Sequence, residues 1–286
     1  MPSNRQRVIL KTVAATLLAS AALGALGGYA ILKSGWYNVG STDQHFQITH
    51  TVLEQGMNES VQFHARDVVV PRDLDSEQHV RRGAAIYRDN CAQCHGGPGA
   101  AQRDFARSMQ PVPGPLVDAS QRWGAAQLYW ITRHGIKMSG MPAWEYHLAD
   151  QDLWSVVAFM RRLPALSAPA YAQMMALPAQ PGAGARAAPQ AGTLGDPQRG
   201  RIALTQYACN ACHVIPGVTG SEVFVGRPLD GLAGRPYIAG HLPNNQANLV
   251  KWIRNPQSVD PHTAMPALDV SEADALDISA YLLQRR

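Results

Sequence analysis

An uncharged, mostly apolar and proline-free run covers residues 12–32, with Arg5, Arg7 and Lys11 ahead of it and Lys33 behind. As a helix rising about 1.5 Å per residue it spans about 30 Å, the thickness of a bilayer core. The basic flank predicts that the first residues stay in the cytoplasm and that everything after Lys33 lies outside. A cleaved export signal starts the same way. This run is longer than a signal core, however, and no sharp small-x-small site precedes a polar start. Trp36 and Tyr37 also follow where interfacial aromatics sit. The expectation is a retained anchor.

Beyond it the pattern takes the period of amphipathic helices. Residues 76–90 place Val80, Gly83, Ala84, Ile86 and Tyr87 between Arg81, Arg82 and Arg88. Residues 150–162 place Leu153, Trp154, Val157, Ala158 and Met160 on one side and stop before Pro164. Further helices are expected at 197–207, at 247–255 before Pro256, and at 271–283 behind Ser271 as N-cap. Ser41 or Thr42 is expected to cap a helix in which Phe46, Leu53, Met57 and Val61 recur at helical spacing, with Ile48 and Val52 on a neighbouring stripe. Its role is either a cover for the following domain or a docking helix for a membrane partner. Residues 165–196 are rich in Ala, Pro, Gly and Gln without apolar period, the composition of a flexible linker.

These patterns divide the 286 residues into a cytoplasmic stub and transmembrane anchor (1–35), a connecting or docking segment (36–72), a first domain (73–164), the linker (165–196) and a second domain (197–286). The fold class expected is all-α. The net charge of +4 is spread along the chain and does not suggest nucleic acid.

The chemistry lies in two pentapeptides, CAQCH at 91–95 and CNACH at 209–213, which use all four cysteines. Cys-x-x-Cys-His is the attachment signature of c-type haem. Cys91 and Cys94, like Cys209 and Cys212, are spaced to form thioethers with both vinyl groups of one porphyrin. His95 and His213 then lie under the iron as proximal ligands. Two disulfides or a zinc site would leave the trailing histidines unexplained. Attachment of this kind takes place outside the cytoplasm, so the chain is expected to be exported.

Each half also carries a Met-Pro step ahead of its terminal helix. Met141 lies 46 residues after His95 and Met265 lies 52 after His213. A thioether sulfur is a soft ligand suited to low-spin haem iron, and a following Pro keeps its loop out of a helix. Met265 has no rival after His213, whereas Met138 competes with Met141. Met160, Met174 and Met175 are assigned to packing, and His134 and His147 to the surface or haem edge. The iron ligands expected are therefore His95 with Met141 and His213 with Met265.

Both halves resemble class I cytochrome c domains, small helical folds around one haem whose terminal helix crosses the first. The second, through GRPLDGLAGR at 226–235, YIAGHLPN at 237–244, WIRNP at 252–256 and AMPAL at 264–268, is very similar to the cytochrome c domain fused to subunit II of haem–copper oxidases. The first resembles the broader bacterial monohaem family but departs from it in the Gly-rich GGPGAA at 96–101. The resemblance implies that Pro111, Pro113 or Pro115 lies near His95 and orients its ring through a backbone carbonyl, with Pro216 or Pro228 equivalent near His213.

The expected protein is a single-pass dihaem cytochrome c of the bacterial inner membrane, with two covalent haem c groups in the periplasm. It would carry single electrons from a quinol-oxidising cytochrome bc complex or a dehydrogenase to a terminal oxidase, without being an enzyme itself. The alternatives are the electron-accepting subunit of a periplasmic dehydrogenase and a catalytic dihaem enzyme, either a peroxidase or a sulfur-compound dehydrogenase. A catalytic enzyme needs an open iron or a spare Cys ligand, and a sensor would need an output domain.

Overall fold

The computed structural model describes residues 3–178, 194–220, 222–223 and 225–284. It is mainly helical and falls into two compact units, the first ending and the second beginning within 179–193. The core of the expected linker thus lies outside the described residues.

In the first unit α1 (Asn4–Ser34) is the anchor candidate. Ser3 caps its start, Gly35 turns left-handed (φ 66°) at its end, and none of its residues is buried. A helix with apolar groups on every side needs an apolar surrounding. Next, α2 (Gln47–Ala65) begins at Phe46 without a side-chain cap. It does not start behind Ser41 or Thr42, because residues 37–45 bond among themselves: Tyr37 Oη with His45 Nδ1 at 2.5 Å, and Asn38 with Asp43. Only the second half of α2 is packed, through Val61 and Ala65; of the expected stripe Val61 is buried and Met57 half-buried, while Phe46 and Leu53 are exposed.

The core of this unit is the crossing of α3 (Glu77–Asn90) with the later helix Asp150–Arg162. Ser76 caps α3 by accepting from the His79 N–H. Between them run α4 (Ala92–His95), α5 (Asp104–Arg107), α6 (Ala119–Arg122) and α7 (Ala125–His134), and the later helix is α8. At the crossing a Cβ on Gly83 would sit 1.8 Å from the Ser155 carbonyl oxygen, so only glycine lets the helices come this close. Tyr87 and Phe159, both fully buried, meet there with ring centroids 5.1 Å apart. Arg82 reaches the fully buried Asp152 at 2.5 Å, and Arg161 forks onto Asp75 at 2.9 and 3.0 Å, tying the end of α8 to the head of α3. Helix α7 lies on α8 with Tyr129 stacked on Trp154 at 4.0 Å. Against α7 rests α2, where His64 stacks on Trp130 at 5.5 Å.

The chain does not become an unstructured linker at residue 165. Ser167 caps α9 (Ala168–Met175), whose Tyr171 is buried in the core of the first unit. Tyr171 lies on Gly97 and Ala168 on Gly99, where Cβ atoms would approach the ring to 2.2 Å and the Ala168 Cβ to 2.4 Å. The Gly-rich departure at 96–101 is therefore the floor under α9. Arg88 closes the cover by donating to the carbonyls of Met175 (3.2 Å) and Leu177 (2.6 Å).

The second unit repeats the crossing. Asp196 caps α10 (Pro197–Gln206), α11 (Gln246–Arg254) is capped by Asn245, and α12 (Glu272–Leu282) by Ser271, whose hydroxyl accepts from the Asp274 N–H. Two short antiparallel strands, β1 (Tyr237–Ile238) and β2 (Leu242–Pro243), precede α11. A Cβ on Gly200 of α10 would lie 1.9 Å from the Asp277 carbonyl oxygen of α12, the counterpart of Gly83 against Ser155. Leu204, Ile278, Leu249 and Trp252 fill the core beside it.

Candidate haem sites

Helix α3 delivers the first motif. The Cys91 N–H still bonds the Tyr87 carbonyl (2.8 Å), and the turn of α4 carries Cys94 and His95 onward. Tyr87 donates its hydroxyl to the Gly96 carbonyl at 2.9 Å, fixing the end of the motif to the core. All four cysteines are free thiols. Burial, with Cys94 beside it, pushes the Cys91 thiol up to about 12, and burial pushes Cys209 up to about 11. Both are therefore held as neutral thiols at neutral pH. Among the described residues no group of three or more His, Cys, Asp or Glu is arranged to hold a metal ion.

His95 Nδ1 lies 2.7 Å from the Gly114 carbonyl oxygen. A carbonyl only accepts, so Nδ1 carries the proton and Nε2 keeps its lone pair for a metal. Burial holds the His95 pKa below its usual value, against the opposing pull of this bond. In the second unit His213 Nδ1 lies 2.7 Å from the Arg227 carbonyl. The prolines expected at these places are neighbours, not acceptors: the bonded carbonyl belongs to the residue just before Pro115 and just before Pro228. Gly226 presses on the same ring, and a Cβ there would lie 2.3 Å from His213 Cε1.

The methionine loops are built alike. The Met141 N–H donates to Ser139 Oγ (3.2 Å) and its carbonyl accepts from the Ile136 N–H (3.3 Å). The Met265 N–H donates to Thr263 Oγ1 (3.3 Å) and its carbonyl accepts from Gln257 Nε2 (2.7 Å). Each methionine thus sits two residues behind a hydroxyl that pins its backbone, and each is half-buried. Met138 is 90% exposed with φ 58°, on the outer tip of the loop, which separates it from Met141. Met160 is buried in the core and Met174 and Met175 pack on it. His134 bonds Glu145 at 3.2 Å, and His147 is exposed beside Trp144 at a 6.0 Å centroid distance.

The donor set fits a haem. One feature the sequence reading passes over supports this. Trp144, three residues past Met141, has a buried Nε1 with no protein partner. A buried N–H without an acceptor is costly, and a haem propionate is an acceptor of the right kind.

Comparison with known proteins agrees. Residues 78–160 match the family described as cytochrome c oxidase, cbb3-type, subunit III. The chain is 40% identical over 85 residues to "Cytochrome c oxidase subunit 2" of Alkalihalophilus pseudofirmus, covering 29% of this chain and 24% of that protein. It is 26% identical over 190 residues to "Cbb3-type cytochrome c oxidase subunit CcoP" of Cereibacter sphaeroides, covering 56% of this chain and 61% of that protein. It therefore spans less than two thirds of either relative. No solved structure gives a significant match. Taken with the apolar N-terminal helix and the attachment motif at the end of α3, these likenesses support a membrane-anchored cytochrome c.

Proposed function

We propose that the chain binds two haem c groups and relays single electrons towards a terminal haem–copper oxidase, with both haem units on the periplasmic side of the bacterial inner membrane. Cys91 and Cys94 would hold the first haem covalently, with His95 and Met141 as its iron ligands. Cys209, Cys212, His213 and Met265 would do the same for the second. The haem iron supplies a one-electron couple, and His/Met ligation raises its potential relative to His/His. The protein holds each imidazole in one tautomer through the Gly114 or Arg227 carbonyl, pins each methionine backbone to a hydroxyl, and buries Cys91 of the first motif.

The observation that carries this reading is the repetition of a whole constellation in the second unit. A glycine-mediated helix crossing, an imidazole on the carbonyl before a proline, and a hydroxyl-pinned methionine recur together. The oxidase as acceptor is supported by the names of both relatives, which are oxidase subunits.

The deciding experiment counts haem per chain in the purified membrane protein and tests its ligation. Two haems, a near-infrared methionine-to-iron band and no rapid carbon monoxide binding are expected. Ready binding at both irons would overturn the six-coordinate assignment, and one haem per chain would overturn the dihaem reading.

A further inference from the structure

The two halves of α2 behave differently. In its second half Val61 and Ala65 are buried, in the part of the helix that meets α7. In its first half Ile48, Val52 and Leu53 are 73%, 64% and 51% exposed, with Phe46 just ahead of them at 54%. At about 100° per residue, Ile48, Thr49, Val52, Leu53 and Gly56 fall within an arc of about 140° that holds no charge. The polar residues lie on the other side and are laced to one another: Gln47 bonds Thr51 at 3.2 Å, and His50 sits 3.6 Å from Glu54. The arc ends at Glu59, which falls in line with Ile48. A short uncharged face backed by a polar one is the pattern of a helix lying in a membrane interface.

What covers this face follows from where it begins. Trp36 and Tyr37 come directly after α1, past the Gly35 turn. The bonds within residues 37–45 fold the chain back, so that Phe46 meets Trp36 at 6.0 Å and Tyr37 at 5.8 Å between ring centroids. An aromatic pair at the end of a spanning helix sits at headgroup depth. The first turn of α2 is thus packed against residues already at the bilayer surface, and its apolar face continues theirs.

We propose that the first half of α2, through Phe46, Ile48, Val52 and Leu53, lies together with Trp36 in the headgroup–acyl boundary of the bilayer that α1 crosses. The occupant of this face is lipid. The second half of α2, stacked on α7 through His64 and Trp130, then carries the first haem unit as a fixed attachment at the membrane surface, not as a body swinging from α1 alone.

The proposal rests on α1 being a membrane span, and its test separates the two. Full-length haem-loaded protein is reconstituted into phosphatidylcholine–phosphatidylglycerol vesicles with a nitroxide at Val52→Cys, Glu54→Cys or Leu18→Cys. Collisions with lipid-dissolved oxygen and with a water-soluble nickel chelate are then compared. Val52 is expected to show a severalfold higher oxygen-to-nickel ratio than Glu54, approaching that of Leu18 in α1. If Leu18 is shielded while Val52 is as open to nickel as Glu54, the interfacial helix is overturned and the anchor stands. If the Val52 label is open in lipid alone and becomes shielded only when solubilised native membrane proteins are added, the face belongs to a protein partner and the lipid proposal fails. If Leu18 itself is open to nickel, the anchor reading fails and the proposal with it.

Discussion

Gly226 lies against the imidazole of His213 so closely that one added methyl carbon would sit 2.3 Å from its Cε1. The next residue, Arg227, supplies the carbonyl that holds Nδ1 of the same ring at 2.7 Å. The ring is therefore fixed from two sides by adjacent backbone positions.

The first prediction follows directly. Gly226→Ala must turn the His213 ring or displace the loop, so the second haem should shift its potential or fail to load, while the first haem serves as internal control. Gly114→Ala instead changes the residue whose carbonyl holds the His95 ring, the counterpart of Arg227, where a Cβ meets nothing within 4 Å. It should leave both potentials in place. Redox titration of the two variants checks both statements.

A second prediction concerns the sulfur ligands. Met141→His and Met265→His should each remove half of the near-infrared methionine-to-iron band and lower one of the two potentials. Met138→Leu changes a 90% exposed side chain and should alter neither. A lost band in the Met138 variant would move the assignment to the outer tip of the loop.

The helix crossings give a third. Gly83→Ala places a carbon 1.8 Å from a backbone oxygen, and backbone cannot step aside as a side chain does. The first unit should lose about 3 kcal/mol or fail to load haem. Gly56→Ala in α2 meets nothing within 4 Å and should stabilise by up to about 1 kcal/mol, since alanine is the better helix former. Thermal unfolding of the two variants checks the opposite signs.

The contrast between these glycines shows which features the sequence makes legible. Covalent attachment demands two cysteines and a histidine at fixed spacing, and a Met-Pro step ahead of a terminal helix is nearly as constrained, so residues 91–95, 141, 209–213 and 265 stand out. The carbonyls that hold His95 and His213 do not, because every residue carries one. Their only trace is a proline one position later. The start of α2 is misread because Asn38, Asp43, Tyr37 and His45 satisfy one another locally. Propensity does not register such bonds. Helix α9 hides because Ala, Pro and Met give no polar–apolar period. Its signals are Ser167 as cap, Pro169 in the first turn and Tyr171 opposite a glycine loop far away in sequence.

Acid should loosen the first unit before neutral stress does. The bond from Arg161 holds the Asp75 carboxyl below its usual 3.8, against a smaller effect of burial. The bond from His134, helped by Arg133 and opposed by burial, holds Glu145 below 4.5. A carboxylate depressed in the folded state stabilises at pH above its unfolded value, and that contribution disappears as pH falls through the folded one. Stability should hold from pH 7 to about 4.5 and fall below about 4. Asp75→Asn should be less stable at neutral pH and lose less on acidification. Denaturant midpoints at pH 7, 4.5 and 3 check the sign.

The last prediction separates a packed cover from a linker at residues 165–178. Tyr171 is 4% exposed, lies on Gly97, and shares the Gly96 carbonyl with Tyr87 at 3.4 and 2.9 Å. Tyr171→Ala empties a ring-sized space beside the attachment loop and should cost the first unit about 3 kcal/mol. It should also open residues 165–178 to proteolysis under native conditions. Tyr171→Phe removes only the longer of the two hydroxyl bonds and should cost about 1 kcal/mol or less. Because α9 rests on GGPG at 96–99, directly behind His95, the Ala variant should also shift the first haem's potential and leave the second unchanged. A residue in a mere tether would move neither the potential nor the unfolding midpoint. If Tyr171→Ala changes neither, α9 does not cover the haem loop in solution.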